Sequence, residues 1–324
     1  MNKKLTVVMY HYVRDLKNSK YPNIKGLDLK LFREQIMFFK KHYRFITMEE
    51  LIFSMENQKE LPPKSILLTF DDGYIDHYKN VFPVLAENKV QGSFYIPAKT
   101  VCENKVLDVN KIHFILASQV DTIKIVDTIK EQLNIYRDEY GLDSFEYYYN
   151  KLACANRFDD KDVVFVKRLL QVELDEEVRY KITDFLFSLF LNKDEQEFSD
   201  ELYMSRSNIK EMLKEGMHIG CHGYDHYWWN KLSKKKLEQD LTSSLSFLQE
   251  VGVDIDNWTA CFPYGSYSNE AVDILAKLNC KAAFTTDVDV ADLSVGSRLL
   301  IPRLDTNDFP VDQKNDPNEW YVKG

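Results

Sequence analysis

Two short stretches of this 324-residue sequence gather residue types able to do acid–base and metal chemistry. The first is Thr69-Phe70-Asp71-Asp72-Gly73, directly after the apolar run Ile66-Leu67-Leu68. Two adjacent carboxylates at the end of a buried strand repel each other, and one is driven towards protonation unless a cation separates their roles. A metal does this: one aspartate binds it and the other stays free as a base. The same pentad would also suit a plain strand-to-helix turn with a capping aspartate. The second stretch is His222-Gly223-Tyr224-Asp225-His226, with imidazoles at i and i+4. That spacing lets both reach one ion from a single turn of chain. A zinc-protease helix needs Glu after the first His; Gly223 stands there instead. His218, inside the preceding strand-like run, reads as a packing residue. Asp72, His222 and His226 make a two-His, one-carboxylate set with open positions, which by ligand type also suits a non-haem iron oxygenase. Asp71, a free carboxylate beside the metal, favours proton abstraction from water and hence hydrolysis.

These residues need elements to hold them. Strand-like runs at Leu5–Tyr10, Ser65–Phe70, Gly92–Ile96, Met217–Gly220, Trp258–Phe262 and Lys281–Thr286 alternate with helical spacing. Predicted helices cover Leu29–His42, Met48–Met55, Tyr78–Asn88, Asn208–Glu215, Lys234–Glu250 and Asn269–Asn279. This rhythm predicts an α/β fold, a parallel sheet with helices outside, open or closed into a barrel.

The middle breaks the rhythm. Residues 103–203 show helices and no clear strand, with Val178, Ile182, Phe185, Leu186, Leu189 and Phe190 as one apolar stripe. They hold 22 acidic and 13 basic residues, so they carry the whole formal charge of −9 and the rest balances to zero. A structureless loop of this length is implausible. A helical insertion over 103–203 is expected, inside a barrel formed by 1–102 and 204–312, with 313–324 as a loosely held polar tail. The acidic balance argues against non-specific nucleic-acid binding. No run approaches the roughly 20 apolar residues of a membrane span. Lys3-Lys4 precede only six residues of the signal-like run Leu5–Tyr10, too few for a secretory h-region. The five cysteines form no CxxC pair and are odd in number, which suits reduced thiols. A cytoplasmic location is the expectation.

The three stretches TFDDG at Thr69–Gly73, HGYDH at His222–His226 and FPYG at Phe262–Gly265 together resemble the first three motifs of the polysaccharide deacetylase family, also called NodB-homology or carbohydrate esterase family 4. The resemblance covers chain on both sides of the 103–203 segment. It implies a distorted (β/α) barrel and a divalent metal, most often zinc, with cobalt, nickel or iron as alternatives. It implies Asp71 as catalytic base, Asp72, His222 and His226 as metal ligands, and the Tyr264 backbone N–H as donor to an oxyanion. It also implies an N-acylated sugar as substrate.

Two departures stand out. The family's third motif carries an Arg shortly before the Pro, and Thr259-Ala260-Cys261-Phe262-Pro263 has none. Its fifth motif supplies a late His as general acid, and no His follows His226. Met9-Tyr10-His11-Tyr12-Val13 offers a replacement, similar to the permuted branch that includes poly-N-acetylglucosamine deacetylases, where the acid lies on the first strand. First and last strands of a closed barrel are neighbours, so the exchange is reasonable. Arg303, after the strand-like Leu299–Ile301, is the candidate for the missing Arg. Trp228 and Trp229 could stack on a sugar ring or pack in the core. Asp287 could support the acid or the base. His42, His77 and His113 read as surface residues. The expected reaction is metal-assisted hydrolysis of an N-acetyl or other N-acyl amide on a nucleotide-linked, lipid-linked or oligosaccharide amino sugar. A deformylase, a cyclic-imide or ureide amidohydrolase, and an inactive sugar-binding homologue are the alternatives.

Overall fold

The structure, a computed structural model, describes residues 3–156 and 159–324. The chain divides into two compact units. One comprises the residues up to Asp15 together with Gly26–Asn104 and Asp200–Gly324; the other comprises Leu16–Lys25 and Lys105–Ser199.

The first unit is built on parallel strands β1 (Lys4–Tyr10), β2 (Ser65–Phe70), β3 (Gly92–Ile96), β4 (His218–Cys221), β5 (Thr259–Cys261) and β6 (Ala282–Phe284), side by side in chain order. Closure comes from one short segment. Ile301 bridges to Phe284 of β6, and three residues later β7 (Leu304–Asp305) pairs with Val8 and Met9 of β1. The sheet is thus curled into the distorted (β/α) barrel that the alternating pattern and the motifs anticipate.

Strand alternation sorts the apolar residues into two cores. Leu5, Val7, Leu67, Tyr95, Cys261, Phe284 and Ile301 pack together as one cluster, capped by Met48 and Leu51 of the helix Met48–Glu56. Their strand neighbours Val8, Ile66, Leu68, Phe94, Ile219, Ala260 and Ala283 pack with the surrounding helices, including Phe32, Ile36 and Phe39 of Leu29–His42. Burial on both faces explains why β2 reads as an unbroken apolar run.

The register makes the carboxyl ends of the strands level. Tyr10 pairs with Phe70, Phe70 with Phe94, Ile96 with Cys221 and Cys261 with Phe284. The residues that follow, His11, Asp71, His222 and Phe262, therefore stand on one rim.

The second unit is helical, with Asp108–Ala117, Thr122–Tyr140, Phe145–Leu152, Lys161–Arg168 and Glu176–Leu191 as its main helices. Val178, Ile182 and Leu186 are buried as the apolar stripe requires, while Phe185 and Leu189 are exposed. Lys111 is fully buried between Asp184 at 2.8 Å and Glu195 at 2.7 Å.

Two sequence expectations need correction. Leu16–Lys25 belongs to the helical unit, which a reading by continuous segments cannot show. Residues 313–324 are not a loose tail. Glu319–Lys323 is helical, Trp320 and Tyr321 pack against the core, and Lys64 Nζ donates to the Tyr321 carbonyl at 2.6 Å. Polar composition hid these two anchors. Among the described residues no helix is long and apolar enough to cross a membrane.

Candidate active site

The adjacent aspartates part at the end of β2. Asp71 continues the strand pairing, its N–H donating to the Tyr10 carbonyl at 2.9 Å. Asp72 then turns with φ 73, a left-handed conformation that costs most residues and that aspartate tolerates better than most. The two carboxylates thereby face different partners.

Asp71 is buried and meets Arg303 in a bidentate pair, Nη1 to Oδ1 at 2.9 Å and Nη2 to Oδ2 at 2.7 Å. Arg303 is itself fixed: Nε donates to the Thr285 carbonyl at 2.8 Å and Nη1 to Thr69 Oγ1 at 3.1 Å. It lies between the Ile301 bridge and β7, on the segment that closes the barrel. Burial pushes the Asp71 carboxyl up, but the Arg303 charge, and then His222, outweigh it and hold it at about 2. The carboxylate is therefore ionised across the neutral range.

Asp72 Oδ1 lies 3.4 Å from His222 Nε2 and 3.3 Å from His226 Nε2. All three residues are buried, and Asp72 Oδ1 has no hydrogen-bond partner. Ligand atoms about 2.0–2.1 Å from a tetrahedral ion sit roughly 3.3 Å apart. The separations and the orphaned oxygen fit a divalent cation. Outer contacts orient Asp72 and His222 as metal ligands are commonly oriented. His222 Nδ1 donates to the Cys261 carbonyl at 2.9 Å, which leaves Nε2 bare towards Asp72. Tyr74 Oη donates to Asp72 Oδ2, and Tyr12 stacks on the Tyr74 ring at 4.0 Å.

His11 follows β1 and is half-buried. The Tyr10–Phe70 register sets it beside Asp71, whose N–H donates to the Tyr10 carbonyl. Its carbonyl accepts from His77 Nε2 at 2.8 Å. Tyr264 has φ 57, and its ring lies edge-on to His226 at 4.6 Å and stacked on Trp228 at 4.5 Å.

The weaker sequence candidates separate. Trp228 borders the site, while Trp229 is core, packed on Phe262 with Nε1 donating to Asp240. Asp287 is exposed; its carboxylate accepts from Tyr267 Oη at 3.1 Å and its carbonyl from Arg303 N at 3.0 Å. His218 packs as read, ringed by Tyr95 and near Thr259 Oγ1 at 3.3 Å. His77 is a correction: it is fully buried, inside a π-helical turn at His77–Val81, against Phe70, Tyr74 and Phe94. His42 and His113 are half-buried. The residues that sequence reading missed are Tyr74, His77 and Asp240. Tyr74 alone left a local signal, directly after TFDDG.

A family model described as polysaccharide deacetylase matches residues 58–130 and 151–283, more than half of the chain. The chain belongs to the polysaccharide deacetylase family. A Bacillus subtilis (strain 168) relative, the polysaccharide deacetylase-like protein YxkH, is 26% identical over 99 residues, 30% of this chain. That match spans only 33% of the relative's length. Among solved structures, a Streptococcus pyogenes deacetylase, PplD, in complex with acetate superposes with TM-score 0.57 at 16% identity, over 94% of this chain and 93% of that one. IcaB from Ammonifex degensii gives TM-score 0.55 at 19% identity, over 94% and 92%. The BpsB deacetylase domain from Bordetella bronchiseptica gives 0.53 at 15% identity, over 94% and 96%. At these identities the likeness is one of fold.

Proposed function

We propose that this protein hydrolyses the N-acyl amide of an amino sugar, with N-acetyl as the acyl group. The observation that carries the reading is the Asp71–Arg303 pair standing 2.7–2.9 Å apart beside the converged Asp72, His222 and His226. An ionised carboxylate and a metal-competent triad on one rim are what hydrolysis of an unactivated amide requires. Family membership and the fold shared with deacetylases support the same reading.

A divalent ion held by Asp72, His222 and His226, zinc being the first choice for this donor set, supplies Lewis-acid chemistry that acidifies water and polarises an acyl carbonyl. The chain's own groups do the rest. Asp71, oriented by both prongs of Arg303, takes the proton of the attacking water. A weak base suffices where the water is already acidified. The Tyr264 backbone N–H donates to the oxygen of the developing tetrahedral centre. His11 gives its proton to the departing nitrogen, without which an amine leaves very slowly. Arg303 removes the feature that favoured an inactive sugar-binding homologue, since it meets the base from the closing segment instead of the third motif.

The test is release of acetate from a panel of N-acetylated nucleotide-linked, lipid-linked and oligosaccharide amino sugars, each in defined zinc or cobalt. Turnover is expected with at least one class, and chelation is expected to abolish it. Asp71→Asn should lower kcat by roughly 10²–10⁴-fold with bound metal unchanged. Release by wild type stripped of metal, or full activity of Asp71→Asn, contradicts the reading.

A further inference from the structure

The two histidines lie on a stretch without regular structure, between β4 and the short 3-10 turn Trp229–Lys231. Their mutual placement therefore depends on what grips residues 223–229. One side is held by main chain: Ala98 N donates to the Gly223 carbonyl at 3.1 Å and Lys99 N to the Tyr224 carbonyl at 3.0 Å. The other side is held by one carboxylate. Asp240, on the helix Lys234–Val251 and 7% exposed, accepts from Tyr224 N at 3.1 Å and Asp225 N at 3.1 Å through Oδ1. Through Oδ2 it accepts from Trp229 Nε1 at 3.2 Å.

We infer that Asp240 is a positioning residue that sets the distance between His222 and His226, and through it the affinity of the triad for a divalent metal. The inference rests on the metal-dependent reading above. One backbone strain, at His226, shows that the loop needs such a grip. Gly223 has φ 74 and His226 has φ 58, both in the left-handed region, and His226 has no glycine's freedom there. The fit around Asp240 is also tight. A Cβ on Gly223 would lie 3.0 Å from Asp240 Oδ2 and 3.2 Å from Trp229 Nε1, so the carboxylate seats directly against the loop backbone. Three donors from residues 224, 225 and 229 converge on it, bracketing His226. A hydrophobic residue at 240 could fill the space but would leave three donors without this partner, the buried Trp229 indole N–H among them.

The experiment reads metal binding without substrate. Cobalt alone is titrated into the full-length chain against a chelator, and its visible absorption reports coordination. Asp240→Asn is nearly isosteric but turns an NH2 group towards either the Trp229 indole or the two amides. It is expected to weaken cobalt binding roughly 10–100-fold, as loss of an orienting partner does, and to alter the visible bands. Pairing it with Trp229→Phe removes the opposed donor and should recover part of the loss. Unchanged cobalt affinity and spectrum in Asp240→Asn overturn the inference alone. A wild-type chain that binds no cobalt overturns the metal reading and this inference with it. Global unfolding of both the single and the double variant would make Asp240 a core residue instead.

Discussion

His11 shows how much one residue's role depends on a neighbour in another strand. The Tyr10–Phe70 register puts it beside Asp71, and the buried His77 grips its carbonyl at 2.8 Å. If His11 is the proton donor, its loss should matter only where the leaving group needs a proton. His11→Ala is expected to keep its metal and to lose roughly 10²–10⁴-fold on a sugar amide, but far less on an aryl acetate. Equal losses on both substrates, with folding intact, would rule out the acid role. At this scale the candidate site was legible where its residues stand in contiguous words. Asp71, Asp72, His222 and His226 announce themselves by adjacency and i, i+4 spacing. Asp240 does not, because in Lys234-Lys235-Lys236-Leu237-Glu238-Gln239-Asp240 it looks like one more solvated charge on a helix. His77 was misread for the same reason: no neighbour in the chain reveals that a π-helical turn swings it inward.

Elements were legible in proportion to their length. The fully buried β2 is unmistakable, and the long helices declare themselves by period. The closing strand β7 has two residues and carries no periodicity at all. Yet that segment delivers Arg303 to Asp71 while its flanks pair with β6 and β1. Position and chemistry are therefore coupled in one stretch. Arg303→Ala leaves a buried carboxylate without its partner and should cost about 3–5 kcal/mol of stability. Arg303→Lys keeps a charge but not the two-pronged geometry, and should fall between wild type and Ala in both stability and turnover. Denaturant unfolding alongside kcat measures this; an Arg303→Ala chain as stable as wild type would deny the coupling.

At the scale of the whole molecule, the −9 bias over residues 103–203 pointed to a separate unit, yet the helical unit as folded holds 19 acidic and 16 basic residues and the barrel unit carries the larger share of the charge. What charge could not show is that the helical unit also recruits Leu16–Lys25. Each unit has its own buried apolar residues. Excising both 16–25 and 105–199, with short linkers, is expected to leave a barrel unit that unfolds in one cooperative transition. Circular dichroism through a thermal ramp checks it; loss of a cooperative transition would mean that the barrel unit cannot stand by itself.

The bond between Asp71 and Arg303 spans 232 positions of sequence. A ribosome makes a chain in one direction, so the aspartate exists for most of translation with no guanidinium to meet. Sealing that carboxylate away from water by itself would cost several kcal/mol. The growing chain can assemble β1 to β6 meanwhile, but this end of the barrel stays wet. Arg303 then arrives on the stretch that also joins the two sheet edges, so chain order makes dehydration of the reactive rim a late event in biosynthesis.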